Sequence, residues 1–228
     1  MKNLIEHIEL VTGPEPKGTV IWMHGLGADC WDFVPVVKEL GLDAGLPLRF
    51  IFPQAPSRPI SINNGYVMPG WYDIEMMEIE RKPDEAGIRE SQGFIDALIE
   101  REITRGIASD KIVLAGFSQG GAIALQTGLR SKHELAGILA LSTYLTLEDS
   151  LAAERQDINR NIPILMCHGT QDPIVPLALA EKSRDALERQ GYRVDWKTYP
   201  MPHSVCPPQI EDIGEWIAKR YASRIMLA

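Results

Sequence analysis

Cysteine is scarce in this 228-residue chain: Cys30, Cys167 and Cys206 are odd in number, far apart and form no CxxC pair. That usage fits neither a disulfide framework nor a zinc site, and a reducing, cytoplasmic compartment suits it best. Positive charge is also in deficit, with 23 Lys plus Arg against 31 Asp plus Glu and a formal net charge of −8. A surface built to neutralise phosphates would carry the opposite balance, so no nucleic-acid partner is expected. Long apolar runs are nearly absent too. Charges at Lys2, Glu6 and Glu9 interrupt the N-terminus before it could form a signal-peptide core. The longest uncharged stretch, Ile112 to Leu129, reaches 18 residues, the lower limit for a membrane span. It holds Gly116, Gly120, Gly121 and Gly128 together with Ser118, Gln119, Gln126 and Thr127, so it reads as a buried strand turning into a buried helix. No stable membrane insertion is expected. Repeats, low-complexity tracts and Gly/Ser linkers are missing as well, which leaves one domain over residues 1–228.

What the sequence does contain is an alternation of short β-branched runs with longer helical segments, and 45% of its residues are apolar. That pattern implies crossover connections and an α/β fold: a mainly parallel central sheet with helices on both faces. Strands are predicted at Thr19 to Met23, Arg49 to Phe52, Ile112 to Ala115, Ile138 to Leu141, Ile164 to Cys167 and Val194 to Tyr199, with Glu6 to Val11 as an antiparallel edge. Helices are predicted at Trp31 to Leu40, Ala86 to Arg105, Gln119 to Leu129, Pro176 to Gln190 and Gln209 to Ala222. In the second helix Ile88, Ile95, Leu98, Ile99 and Ile103 form one apolar stripe.

Residues 54–82 break the alternation. Three prolines, Asn63-Asn64-Gly65 and the apolar set Tyr66, Met68, Trp71, Tyr72, Met76 and Met77 lie on what reads as irregular backbone. A loop of this length is either a lid or substrate wall, or a satellite cluster that seals the sheet.

The chemistry centres on Gly116-Phe117-Ser118-Gln119-Gly120, a G-x-S-x-G motif placed between the apolar run Ile112 to Ala115 and the helical run Ala122 to Leu125. Strand, sharp turn and helix are the setting in which such a serine stands above a sheet as a nucleophile. A serine hydroxyl needs a base, and the base needs a third group to fix its tautomer. Three histidines follow Ser118. His133 sits at a charged helix end, and His168 ends an apolar strand where a hydrogen-bonding role suits it. His203 lies in a proline-rich loop directly after the last strand and is the candidate base. Asp172, just beyond the strand Ile164 to Cys167, is the candidate acid, so all three groups fall at the carboxyl edge of the sheet. The oxyanion donors are the amide of Gln119 and that of Leu26, in the early loop His24-Gly25-Leu26-Gly27. His24 lacks the acids or HExxH spacing of a metal site and is assigned to orienting that loop; no metal or cofactor is indicated.

These stretches, with Gly65-Tyr66, Trp71-Tyr72-Asp73, Leu141-Ser142-Thr143-Tyr144, Val175-Pro176 and His203-Ser204-Val205-Cys206, resemble the phospholipase/carboxylesterase family of α/β-hydrolases. The resemblance implies the α/β-hydrolase fold, a Ser118, Asp172 and His203 triad, and oxyanion donors at Leu26 and Gln119. Many members carry glycine where this chain has Pro202, which restricts the loop before His203. Homodimers occur in that family, so a homodimer is carried as an expectation. The expected activity is serine carboxylesterase hydrolysis of small-molecule esters with an apolar acyl group, bound along Met68, Trp71, Tyr72, Tyr144 and Leu145. A protein-acyl thioesterase or lysophospholipase shares the same chemistry, a binding module on a hydrolase fold would lack it, and a metal-dependent hydrolase would need a chelatable ion.

Overall fold

The computed structural model describes residues 4–75 and 83–225, which leaves Met76 and Met77 outside the described residues. Seven strands form one sheet in the order β1-β3-β2-β6-β7-β8-β9. They are β1 (His7–Val11), β2 (Gly18–Met23), β3 (Leu48–Pro53), β6 (Ile112–Phe117), β7 (Gly137–Leu141), β8 (Ile164–Gly169) and β9 (Val194–Tyr199). Only β1 runs antiparallel, at the edge beside β3. The other pairs are parallel, with Met23 opposite Gly116, Phe117 opposite Leu141 and Gly169 opposite Tyr199. That register brings the carboxyl ends of β2, β6, β7, β8 and β9 to one edge.

The near-continuous apolar runs of the inner strands follow from burial on both faces. Successive side chains point to opposite sides. Thus Ile21, Leu114, Ile138 and Met166 pack with α1 (Glu85–Thr104), α2 (Gln119–Arg130), α3 (Glu148–Glu154) and α4 (Leu177–Arg189). Val20, Val113, Leu139 and Leu165 pack instead with Ile213, Trp216 and Ile217 of α5 (Pro207–Ile225). The stripe of α1 buries Ile88, Ile95, Leu98 and Ile99, each worth roughly 1.5–3 kcal/mol. Asp84 caps this helix by accepting from the Gly87 amide.

Two expectations change. The helix predicted at Trp31 to Leu40 is a series of turns followed by a short 3₁₀ segment, Pro35–Leu40. Pro35 cannot donate to the Trp31 carbonyl, and its ring disfavours helical backbone before it. The loop after Gln54 contains a hairpin, β4 (Ser57–Ile60) against β5 (Tyr66–Pro69). Asn64 and Gly65 make its turn at φ 55° and 73°, a left-handed pair that Asn and Gly adopt most readily. The 18-residue uncharged run proves to be β6 and α2, and no described helix is long and apolar enough to cross a membrane.

Candidate active site

Ser118 sits between β6 and α2 with φ 55° and ψ −120°. Non-glycine residues rarely hold such backbone unless the surroundings over-determine it. Here they do. The Ser118 amide donates to the Leu141 carbonyl at 2.8 Å, while its own carbonyl accepts from Ala122 N at 3.1 Å and Thr143 Oγ1 at 2.6 Å. The flanking glycines allow the turn to close. A Cβ at Gly116 would lie 2.5 Å from Gly121 N, and one at Gly120 would lie 2.6 Å from the His24 carbonyl oxygen. Neither neighbour is a side chain that could move aside.

Asp172 follows β8, and its side chain is fully buried. Its Oδ1 accepts from the Ile174 and Val175 amides at 2.9 Å each, and its Oδ2 accepts from His203 Nδ1 at 2.6 Å. An acceptor on Nδ1 fixes the tautomer that leaves Nε2 with a free lone pair. The Phe117 ring packs on the imidazole at a centroid distance of 4.7 Å. Pro202 costs this loop nothing visible, because its bonds come from the Met201 amide to Tyr199 and the Ser204 amide to Pro202. His168 lies beneath, donating from Nε2 to the Val175 carbonyl at 2.8 Å, and burial holds it below the usual imidazole range.

The early loop follows β2. His24 Nδ1 donates to the Gly25 carbonyl at 2.7 Å and Nε2 accepts from Ala55 N at 3.1 Å, so the ring is neutral, and burial lowers its proton affinity. Among the described residues neither the Leu26 nor the Gln119 amide has an acceptor. Both residues line a cleft of about 360 Å³ together with Ser118 and His203. Its apolar walls are Phe117, Ile62, Ile74, Tyr144, Ile174 and Val175. Asp32 also faces it, its carboxyl held above the usual range by burial.

The structure therefore brings Ser118, His203, Leu26, Gln119 and Tyr144 to one cleft, with Asp172 behind the imidazole. The remaining expected substrate contacts fall elsewhere. Trp71 is fully buried and Tyr72 nearly so, both in the core beneath the cleft, because their polar atoms find partners there: Trp71 Nε1 donates to the His24 carbonyl at 2.8 Å, and the Tyr72 and Tyr144 hydroxyls meet at 2.6 Å. Leu145 borders a second cavity of about 440 Å³ that shares only Tyr144 with the cleft. Met68 lies against the Gly27 side of the early loop, outside the cleft lining. Reading from the sequence missed Ile62, Ile74, Phe117 and Ile174. Phe117 was open to discovery, since the residue before the serine ends a parallel strand beside its neighbour's loop. Among the described residues no three His, Cys, Asp or Glu side chains converge to hold a metal.

With a hydroxyl on a strained turn, an imidazole oriented by a carboxylate, and two unpaired amides around one apolar cleft, the arrangement can perform acyl transfer. The model of the phospholipase/carboxylesterase family matches residues 6–221. Acyl-protein thioesterase 1 of Neurospora crassa is 43% identical over 211 residues, which cover 89% of this chain and 86% of that one. Its namesake in Cryptococcus neoformans var. neoformans is 35% identical over 235 residues, covering 95% and 98%. The solved structure of Zea mays acyl-protein thioesterase 2 superposes with a TM-score of 0.83 at 26% identity, covering 94% of this chain and 99% of that one.

Proposed function

The chain belongs to the phospholipase/carboxylesterase family and is a serine hydrolase, and from that premise we propose that it cleaves long-chain acyl thioesters on protein cysteines. The observation that carries the proposal is the apolar cleft that ends at Ser118 and His203, in a chain 43% identical to an acyl-protein thioesterase. Ser118 Oγ attacks the thioester carbonyl carbon while His203 Nε2 takes the hydroxyl proton. The carbonyl oxygen, now negative, is held by the Leu26 and Gln119 amides. Collapse breaks the C–S bond, and the imidazolium returns its proton to the leaving thiolate. Water then attacks the acyl-serine with the same base, releasing the fatty acid and restoring Ser118. Asp172 stays ionised and stabilises the imidazolium throughout. We place this reaction in the cytoplasm, in keeping with three free cysteines.

Oxygen-ester hydrolysis, the activity expected from the sequence, is the second reading. It is favoured by the family's carboxylesterase and phospholipase members and needs no change at Ser118. Matched thioesters and oxygen esters with two to sixteen acyl carbons separate the two. The proposal expects the highest kcat/KM on long-chain thioesters; a maximum on short oxygen esters would reject it.

A further inference from the structure

The Gln119 side chain takes no part in the steps above, yet it is buried and bonded at both ends. Its Oε1 accepts from the Trp71 amide at 2.8 Å, and its Nε2 donates to the Tyr72 carbonyl at 2.6 Å. A planar amide that grips two consecutive residues fixes both the place and the tilt of their backbone. Trp71 passes the constraint on. Its indole N–H donates to the His24 carbonyl at 2.8 Å, and its own carbonyl accepts from Ser91 Oγ on α1. Two residues earlier, the Pro69 carbonyl accepts from the Gly27 amide at 2.8 Å. Hydrogen bonds thus run from Gln119 through residues 69–72 to both ends of the His24-Gly25-Leu26-Gly27 loop. Between them, Gly70 packs so closely that a Cβ there would lie 3.0 Å from Leu26 Cδ1.

We infer that the Gln119 side chain is a positioning residue that sets the Leu26 amide relative to the Gln119 amide. One residue then supplies one oxyanion donor through its backbone and places the other through its side chain. The inference rests on the acyl-transfer reading of this site. Donors must lie within about 2.7–3.1 Å of the developing oxyanion, and a displacement near 1 Å costs about 10²-fold in rate. A clamp on one member of a donor pair is therefore a means of control over kcat.

Gln119→Met keeps length and bulk while removing both hydrogen bonds. The expected result is a kcat about 10²-fold lower with KM changed by less than about threefold. The inhibition constant of a long-chain boronic acid, which mimics the tetrahedral intermediate, rises by the same factor, while the affinity of a non-hydrolysable acyl thioether holds. Trp71→Phe, which keeps an aromatic ring but loses the indole N–H, gives a smaller loss of the same kind, and the double variant loses no more than Gln119→Met alone. A lower Tm with kcat and the boronate constant unchanged would overturn the inference, as would a raised KM at constant kcat. Should Gln119→Met fail to fold, Trp71→Phe carries both readouts. Ser118→Ala distinguishes the two failures: activity retained there moves the reaction away from this site, whereas a dead Ser118→Ala beside a fully active Gln119→Met rejects the positioning role alone.

Discussion

The Ser118 turn and the wall formed by residues 54–75 meet at the same cleft and are held by opposite means. The turn relies on what is missing: without side chains at Gly116 and Gly120, backbone packs on backbone, and the parallel neighbours β2 and β7 hold Ser118 at φ 55°. The wall relies on what is present. Asp73 accepts from the Ser61 amide at 2.7 Å and the Ser61 hydroxyl at 2.5 Å, the Asp73 amide donates to Asp84, and the Gln119 side chain grips Trp71 and Tyr72. Steric closure tolerates no substitution, whereas a hydrogen-bonded wall can be loosened one bond at a time. The proposed reaction places chemistry on the first region and substrate selection on the second.

The largest expected effect comes from removing the chemistry and leaving both scaffolds intact. Ser118→Ala should lower kcat about 10⁴-fold or more while thermal unfolding stays within a degree or two of the parent, as turnover assays and calorimetry would show. Next is a break in the turn itself. Gly120→Ala places a methyl group 2.6 Å from the His24 oxygen and closer still to that of Met23. The expected cost is on the order of 3 kcal/mol or more, read as a lower midpoint in urea, together with most of the activity. A Gly120→Ala enzyme with parental stability would contradict the steric account.

Loosening the wall should do less. Burial works to raise the Asp73 carboxyl, but the Ser61 hydroxyl and amide, the Ile74 amide and Arg58 outweigh it and hold it below the usual range. Asp73→Ala is expected to cost about 1–2 kcal/mol and to change KM several-fold with kcat nearly preserved. Because the folded carboxyl is the stronger acid, its contribution is present near neutrality and fades as pH falls through the carboxylate range. An equal loss in kcat would merge the two regions into one.

The smallest effect on rate should come from Asp96 on α1, remote from both. Burial raises its carboxyl from 3.8 to about 6, against the opposing influence of Gln92, Lys132 and His133. A folded-state value above the unfolded one means the native state favours the protonated form, so stability falls as pH rises from about 4 to 6. The cost at neutrality is on the order of 3 kcal/mol. Asp96→Asn should raise Tm at pH 7.5, lose that gain below about pH 4 and leave kcat/KM unchanged.

The same contrast decides what could be read in advance. The G-x-S-x-G turn is a local steric signal, and the strand ends that carry Leu26, Asp172 and His203 follow from apolar runs whose burial on two faces leaves little choice of element. The order of strands then sets them along one edge. The wall offers no such local signal. Trp71 and Tyr72 look like surface aromatics within an irregular, proline-rich stretch; what buries them is Gln119, 48 positions away from Trp71 along the chain, together with Ser91 and Tyr144. Bonds across that separation leave no periodicity behind. Pro35 shows the converse error, since an apolar pattern at Trp31 to Leu40 fits a helix that a single missing donor forbids.

Transfer of the acyl group to Ser118 is the step on which the proposed reaction depends. Acid-quenched turnover of a long-chain acyl thioester, followed by peptide mapping in a mass spectrometer, tests it most directly. An adduct of one acyl group is expected on the peptide containing Ser118, absent in Ser118→Ala and slow to clear in His203→Ala after labelling. Steady turnover with no adduct, or an adduct on any other residue, would contradict it.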